Sequence, residues 1–246
     1  MNKRVAVVTG GIGGLGTEIC KTLARAGRTV VAADLGARAE RIAEFQRDVA
    51  GLDIHFEALD AGDFDACAAT VRRIEAERGS LDILVNAAGI TRDGTLRKMD
   101  KAQWDAVMNV NLDSVFNMCR HAVDGMVDRG FGRIVNISSV NGQTGQFGQT
   151  NYSAAKAGMH GFTMALAREV ARKGVTVNSV SPGYCETALV MAIPEEIRVD
   201  IVEKIPVGRL GKPSEIARTV EFLTADDAGF ITGANIPVNG GMFMSF

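Results

Sequence analysis

Tyr152 and Lys156 stand four positions apart, a spacing that on a helix projects both side chains from one face, one turn apart. A phenol is a poor proton donor near neutrality because its reference pKa is about 10. An ammonium one turn away favours phenolate and draws that value down. Upstream, in the stretch 136–156 (NISSVNGQTGQFGQTNYSAAK), a strand-like end runs into a loop of Gly, Gln and Asn. That loop would hold a serine hydroxyl, from Ser138 or Ser139, near the start of the Tyr/Lys helix. A hydroxyl, a tuned phenol and a cation suit proton transfer to or from a substrate oxygen. This is carbonyl/alcohol chemistry, and it needs a hydride partner elsewhere in the chain.

The elements that could position such a partner begin at the N-terminus. Residues 4–9 are apolar and β-branched, as in a buried parallel strand. GGIGGLG follows, then a helical pattern over 17–26 closed by Gly27, then a second buried strand over 29–33 ending at Asp34. Strand, glycine turn, helix, strand and acid is the βαβ grammar of dinucleotide binding. The turn parses as G-x-G-x-x-G through Gly11, Gly13 and Gly16, or as T-G-x-x-x-G-x-G through Thr9, Gly10, Gly14 and Gly16. Either parsing sets backbone amides and a helix N-terminus where a pyrophosphate binds. Asp34 can accept from the ribose hydroxyls of NAD and repel the 2′-phosphate of NADP, whereas nearby Arg38 could pair with that phosphate. Asp34 stands closer to the strand end, so NADH is expected ahead of NADPH. Asp60 closes the next strand and could reach the adenine edge or cap its own turn.

The alternation continues with strands over 53–59, 81–86, 132–138, 175–180 and 231–238. Helices are expected over 37–50, 64–78, 100–129 (with a break near 109–111), 152–172, 194–204 and 213–224. Seven strands separated mostly by helices, with no linker, predict one α/β domain over 1–246, doubly wound and Rossmann-like, with helices on both faces of a parallel sheet.

At 246 residues, 46% hydrophobic and 23% charged, the chain can build a sizeable core. A net charge of −2 gives no electrostatic reason to expect nucleic acid or an anionic membrane. Cys20, Cys67, Cys119 and Cys185 are scattered and read as buried thiols. His55, His121 and His160 are equally dispersed, so spacing assembles no metal site. With no signal-like start and no long apolar run, a cytoplasmic location is expected.

Tyr152, Lys156, Ser139, the TGGIGGLG turn and Asn86-Ala87-Ala88-Gly89 together resemble the short-chain dehydrogenase/reductase family along the whole chain. The resemblance implies catalytic roles for Asn111, Ser139, Tyr152 and Lys156, and selects Ser139 over Ser138. It implies nucleotide contacts from Gly10, Gly11, Gly13, Gly14, Leu15, Gly16, Asp34, Arg38, Asp60 and Ala61. Asn86, Ala87, Ala88 and Gly89 join that set, as do Tyr152, Lys156, Pro182, Gly183 and Thr187. Within the family, the loop around Tyr152, NAAGITRD and GVTVNSVSPGY is similar to bacterial acetoacetyl-CoA reductases. These form (R)-3-hydroxybutyryl-CoA for polyhydroxybutyrate synthesis. By that likeness Gln146, Phe147, Gln149 and Tyr184, with Ser139, line the acyl site. Such relatives usually prefer NADPH, against the reading of Asp34.

A same-fold alternative is a 3-oxoacyl reductase acting on acyl carrier protein, whose acidic surface Arg129 and Arg172 could meet. A dinucleotide-sensing scaffold is the non-enzymatic alternative. The family implies a homotetramer built through the two long helices and the apolar tail with Met242, Phe243, Met244 and Phe246. Residues 188–204 are read as a helical lid over the acyl group.

Overall fold

The computed structural model describes residues 3–244, so Phe246 of the apolar tail lies outside the described residues. In chain order the elements are β1 (Val5–Thr9), α1 (Gly14–Arg25), β2 (Thr29–Asp34), α2 (Ala39–Asp48), β3 (Ile54–Ala58), α3 (Phe64–Arg78) and β4 (Ile83–Asn86). Then come α4 (Lys101–Met108), a π-helical turn (Asn109–Asp113), α5 (Ser114–Asp128), β5 (Gly132–Ile137), α6 (Asn141–Thr144) and α7 (Thr150–Val170). A 3-10 turn (Ala171–Lys173), β6 (Val175–Pro182), α8 (Ala188–Met191), α9 (Glu195–Glu203), α10 (Pro213–Leu223) and β7 (Asn235–Val238) complete it.

The seven strands form one sheet in the order β3-β2-β1-β4-β5-β6-β7, and every neighbouring pair is parallel. A parallel sheet covered on both faces needs apolar residues at every strand position. β1, β4, β5 and β6 are accordingly buried along their whole lengths. Alternate residues feed two cores: Val7, Leu84, Ile134 and Val177 pack with α3, α5 and α7, and Val8, Val85, Val135 and Val180 pack with α1 and α10. The strand order reverses between β1 and β4, and in such sheets the ligand crevice opens there, beyond the strands' C-terminal ends.

Local chemistry sets the helix ends. Asp63 caps α3 by accepting from Ala66 N, and Gly79 closes it in a left-handed conformation. Asp100 and Gln103 form a reciprocal capping box at the start of α4. The break expected near 109–111 is the π-turn that separates α4 from α5. The last strand is shorter than the expected 231–238. Val177 N donates to the Thr232 hydroxyl and Gly233 turns left-handed at φ 74°, so ladder pairing begins only at Asn235.

Candidate active site

The nucleotide turn is a cradle that side chains would fill. At Gly10, with φ 65°, an added methyl would lie 2.8 Å from the Ala87 carbonyl, and at Gly16 it would collide with the Gly10 carbonyl. α1 has Gly13 at its N-cap, with no side-chain cap and no acid in its first turn. Its first amides and the positive end of its dipole are thus left to a ligand, and a pyrophosphate fits that donor set. A methyl at Gly14 would sit 3.0 Å from Thr187 Cγ2, so the segment after β6 closes over the turn.

Asp34 accepts from Ile12 N at 3.3 Å and from Leu35 N at 2.8 Å, which ties the acid to the turn. Arg38 caps the backbone of α2 and is exposed, and its side chain makes no hydrogen bond among the described residues. The cation that reaches the turn is Arg41, one helical turn on. Its Nε donates to Ile12 O at 2.8 Å and a terminal nitrogen to Thr17 Oγ1 at 3.3 Å. Asp60 caps its own turn, accepting from Gly62 N at 2.9 Å, and Ala61 uses its carbonyl inward on Asn117. Asn86 is only 2% exposed; its amide nitrogen donates across the sheet to Asn136 Oδ1 at 2.8 Å and fastens β4 to β5, while its Oδ1 is buried with no partner among the described residues.

At the C-terminal ends of β4 and β5 the catalytic candidates converge. Ser138 donates to the Lys156 carbonyl at 3.0 Å and is a structural tie. Ser139 faces the other way, its Oγ accepting from Asn141 N at 3.1 Å and lying close enough to the Tyr152 phenol to oppose the rise of its pKa. Lys156 Nζ donates to Ile137 O at 2.8 Å and lies 5.6 Å from the Tyr152 ring centre. The π-turn directs Asn111 inward, where its amide donates to Ile90 O and Val107 O, both at 2.9 Å. Asn111 Oδ1 is buried with no partner among the described residues. A methyl at Gly89 would lie 2.8 Å from that oxygen and 3.7 Å from Lys156 Nζ, so glycine keeps the space between them open.

Burial sets the protonation of the pair. It pulls the Lys156 ammonium down to about 7 and pushes the Tyr152 phenol up, with the Ser139 hydrogen bond opposing and Asp93 and Tyr184 adding to the rise. Burial dominates both groups, opposing the negative charge of a phenolate and the positive charge of the ammonium alike.

On the substrate side, Gln149 Oε1 accepts from Asn141 Nδ2 at 2.9 Å and its Nε2 donates to Asp93 Oδ2 at 3.0 Å. A hydrogen-bonded chain therefore runs from Ser139 through Asn141 and Gln149 to Asp93. Burial raises the Tyr184 pKa, and the nearby Asp93 charge adds to the rise. Gln146 and Phe147 do not cover the site as expected. Both are exposed, Phe147 at 87%, because Gly145 and Gly148, at φ 70° and 77°, stand the loop tip away from the surface. Sequence reasoning assigned no role to Asn141, Asp93 or Arg41; the available signals were Asp93 inside NAAGITRD and Arg41 one turn past Arg38.

Arg129 and Arg172 are at the wrong end of the sheet for the mouth. Each precedes a strand, and Arg129 is engaged by Glu75 at 2.9 Å and the Leu81 carbonyl. Arg92, Arg97 and Lys98 are exposed cations on the loop after β4, which is pinned to the substrate loop by Gly94 N donating to Gly148 O at 2.8 Å. All four cysteines are buried thiols.

A nucleotide cradle at the sheet's reversal point, facing a tyrosine, a lysine and a serine, defines a dinucleotide-dependent oxidoreductase. The family model described as short chain dehydrogenase matches residues 4–198, and the chain belongs to that family, whose members depend on NAD(P). The chain is 58% identical to an acetoacetyl-CoA reductase of Allochromatium vinosum over 98% of this chain and 99% of that one. It is 53% identical to an acetoacetyl-CoA reductase of Cupriavidus necator over 99% and 100%. A 3-oxoacyl-acyl-carrier-protein reductase of Pseudomonas aeruginosa is 44% identical over 98% of both chains.

Proposed function

We propose that this protein reduces acetoacetyl-CoA to (R)-3-hydroxybutyryl-CoA, with NADH as the preferred cofactor, as a cytoplasmic step of polyhydroxybutyrate synthesis. The observation that carries the reading is the chain Ser139–Asn141–Gln149–Asp93, which sets an amide-lined rim beside the Tyr152 phenol. Likeness to reductases of that name supports the substrate.

When bound, the nicotinamide supplies the hydride. Ser139 donates to the substrate oxygen where negative charge develops, and Tyr152, kept protonated by burial, delivers a proton to that oxygen. Lys156 would hold the nicotinamide ribose and, with a water on Asn111 Oδ1, would return a proton to Tyr152 from solvent. The acyl chain lies along Gln149 and Tyr184, and Arg92, Arg97 and Lys98 meet the phosphates of CoA. Asp34 selects NADH by accepting from the adenosine ribose.

Residues 188–204 act as a lid: α9 borders a cleft of about 670 Å³ lined in part by Met191, Val199 and Leu210, which leaves the segment room to move. A homotetramer is consistent with the exposed apolar side chains Phe64 and Phe116, which stack on each other, and with Met164, Phe222, Phe230 and Met244, which are also exposed.

The test is kcat/KM for acetoacetyl-CoA with NADH and with NADPH, beside a long 3-oxoacyl group on carrier protein. Turnover confined to the carrier-linked substrate would favour fatty-acid synthesis, and a marked preference for NADPH would overturn the reading of Asp34. Absence of any turnover alongside tight dinucleotide binding would point to a sensing scaffold.

A further inference from the structure

His160 lies four residues beyond Lys156 on α7, partly buried, and has no part in the chemistry above. Its Nε2 is 3.2 Å from Ser181 Oγ. Ser181 in turn donates to Asn235 Oδ1 at 2.8 Å, and Ser179 donates to the same oxygen at 3.0 Å. The Ser181 hydrogen is therefore committed to Asn235, and its oxygen is left to accept from an Nε2–H.

The placement is specific. Side chains alternate along a strand, so residues 175, 177, 179 and 181 of β6 share the face that α7 covers. Val175 and Val177 belong to the core there, while Ser179 and Ser181, both 0% exposed, replace valine at the catalytic end. Buried hydroxyls cost stability unless partnered, and here the partners are Asn235 of β7 and His160 of α7. Ser181 immediately precedes Pro182 and Gly183. That segment is held to β7 by Gly183 N on Val238 O at 3.0 Å, and to the Ser139 loop by Val140 N on Pro182 O at 2.8 Å.

We propose that His160 is a positioning residue, a latch that ties the Tyr152/Lys156 helix to the end of β6 and so sets Pro182 and Gly183 against the catalytic pair. This rests on the reading of that segment as the nicotinamide contact. Facing the ring are Lys156 of its own helix, Ser181 of β6 and, through it, Asn235 of β7. Burial, and with it the Lys156 charge, lowers the imidazole's pKa and so favours the neutral ring, while acceptance by Ser181 Oγ, whose hydrogen is used on Asn235, places the remaining proton on Nε2.

The test compares His160→Leu, His160→Gln and Ser181→Ala by NADH fluorescence titration and by KM for each substrate. With one positioning hydrogen bond lost, His160→Leu should raise the NADH Kd and cofactor KM about tenfold while the acetoacetyl-CoA KM stays within about twofold. His160→Gln, which keeps a donor, should recover most of that loss. Ser181→Ala should match His160→Leu, and the double variant should be no worse than either. Ring nitrogen NMR of the parent, simplified by only 3 histidines, should report Nε2–H.

An unchanged NADH Kd in a folded His160→Leu variant, equal impairment in Leu and Gln, or an Nδ1–H tautomer would each overturn the latch. If His160→Leu does not fold, Ser181→Ala and the tautomer decide. Full turnover in Tyr152→Phe would instead sink the catalytic reading, while the NADH titration still judges the latch.

Discussion

Lys156 Nζ donates to the Ile137 carbonyl at 2.8 Å, which ties the ammonium to the end of the strand that delivers Ser138 and Ser139. The helix, the strand end and the serine loop are thereby locked around one buried charge. Burial holds that lysine down to about 7 from an ordinary 10.5, and a pH signature follows.

Between about 7 and 10.5 the unfolded chain keeps a proton on Lys156 that the folded chain has released, so rising pH stabilises the fold through this group. Below about 7 both states are protonated and the penalty is complete. Lys156→Met removes the contribution. Its Tm relative to the parent should therefore be highest near pH 7 and decline toward pH 10, where each kcal/mol is about 2–4 °C in a domain of this size. Parallel Tm profiles for the two proteins would contradict the assignment.

Tyr152→Phe deletes the proton donor and little else, since the ring and the helix that carries it are kept. Turnover should fall by about 10²–10⁴, with NADH affinity near normal in a fluorescence titration. Comparable losses in both would mean that Tyr152 serves binding.

Ser139→Ala removes the donor to the developing oxyanion and should lower kcat by about 10²–10³. Ser138→Ala is the control. It severs a tie to the Lys156 carbonyl and should appear chiefly in Tm. If the Ser138 variant were the slower catalyst, the two roles would have to be exchanged.

Gln149→Leu breaks two hydrogen bonds at once, to Asn141 and Asp93. The KM for acetoacetyl-CoA should rise about tenfold or more while the cofactor KM is unaffected. Steady-state kinetics with each substrate varied in turn distinguish this from a general loss of folding.

At the adenosine end, Asp34→Ala should lower kcat/KM for NADH by about tenfold relative to NADPH. Arg41→Ala should act in the opposite sense, because its guanidinium is the cation bonded to the turn. Ratios unmoved by either change would place cofactor selection elsewhere.

Much of the fold was legible because its signals are local. β1, the glycine turn, α1 and the acid closing β2 are written in consecutive residues, and the break within 100–129 was readable at Asn109. The start of the last strand was not, since Thr232 replaces a ladder bond with its hydroxyl. Arg38 and Arg41 differ by one helical turn, and only the entry angle of α2 decides which reaches Ile12. Arg129 and Arg172 were misplaced although strand direction alone sends residues that precede a parallel strand to the edge opposite the site.

The sequence by itself determined the doubly wound architecture, the nucleotide turn and the pairing of Tyr152 with Lys156, because helical and strand periodicities act over a few residues. Assembly of the fold brought Gln149 to Asp93, 56 positions away, left Phe147 in solvent and buried Lys156 so that its pKa falls to about 7. Those outcomes depend on which surfaces pack together and exclude water, and burial of that kind belongs to the assembled fold.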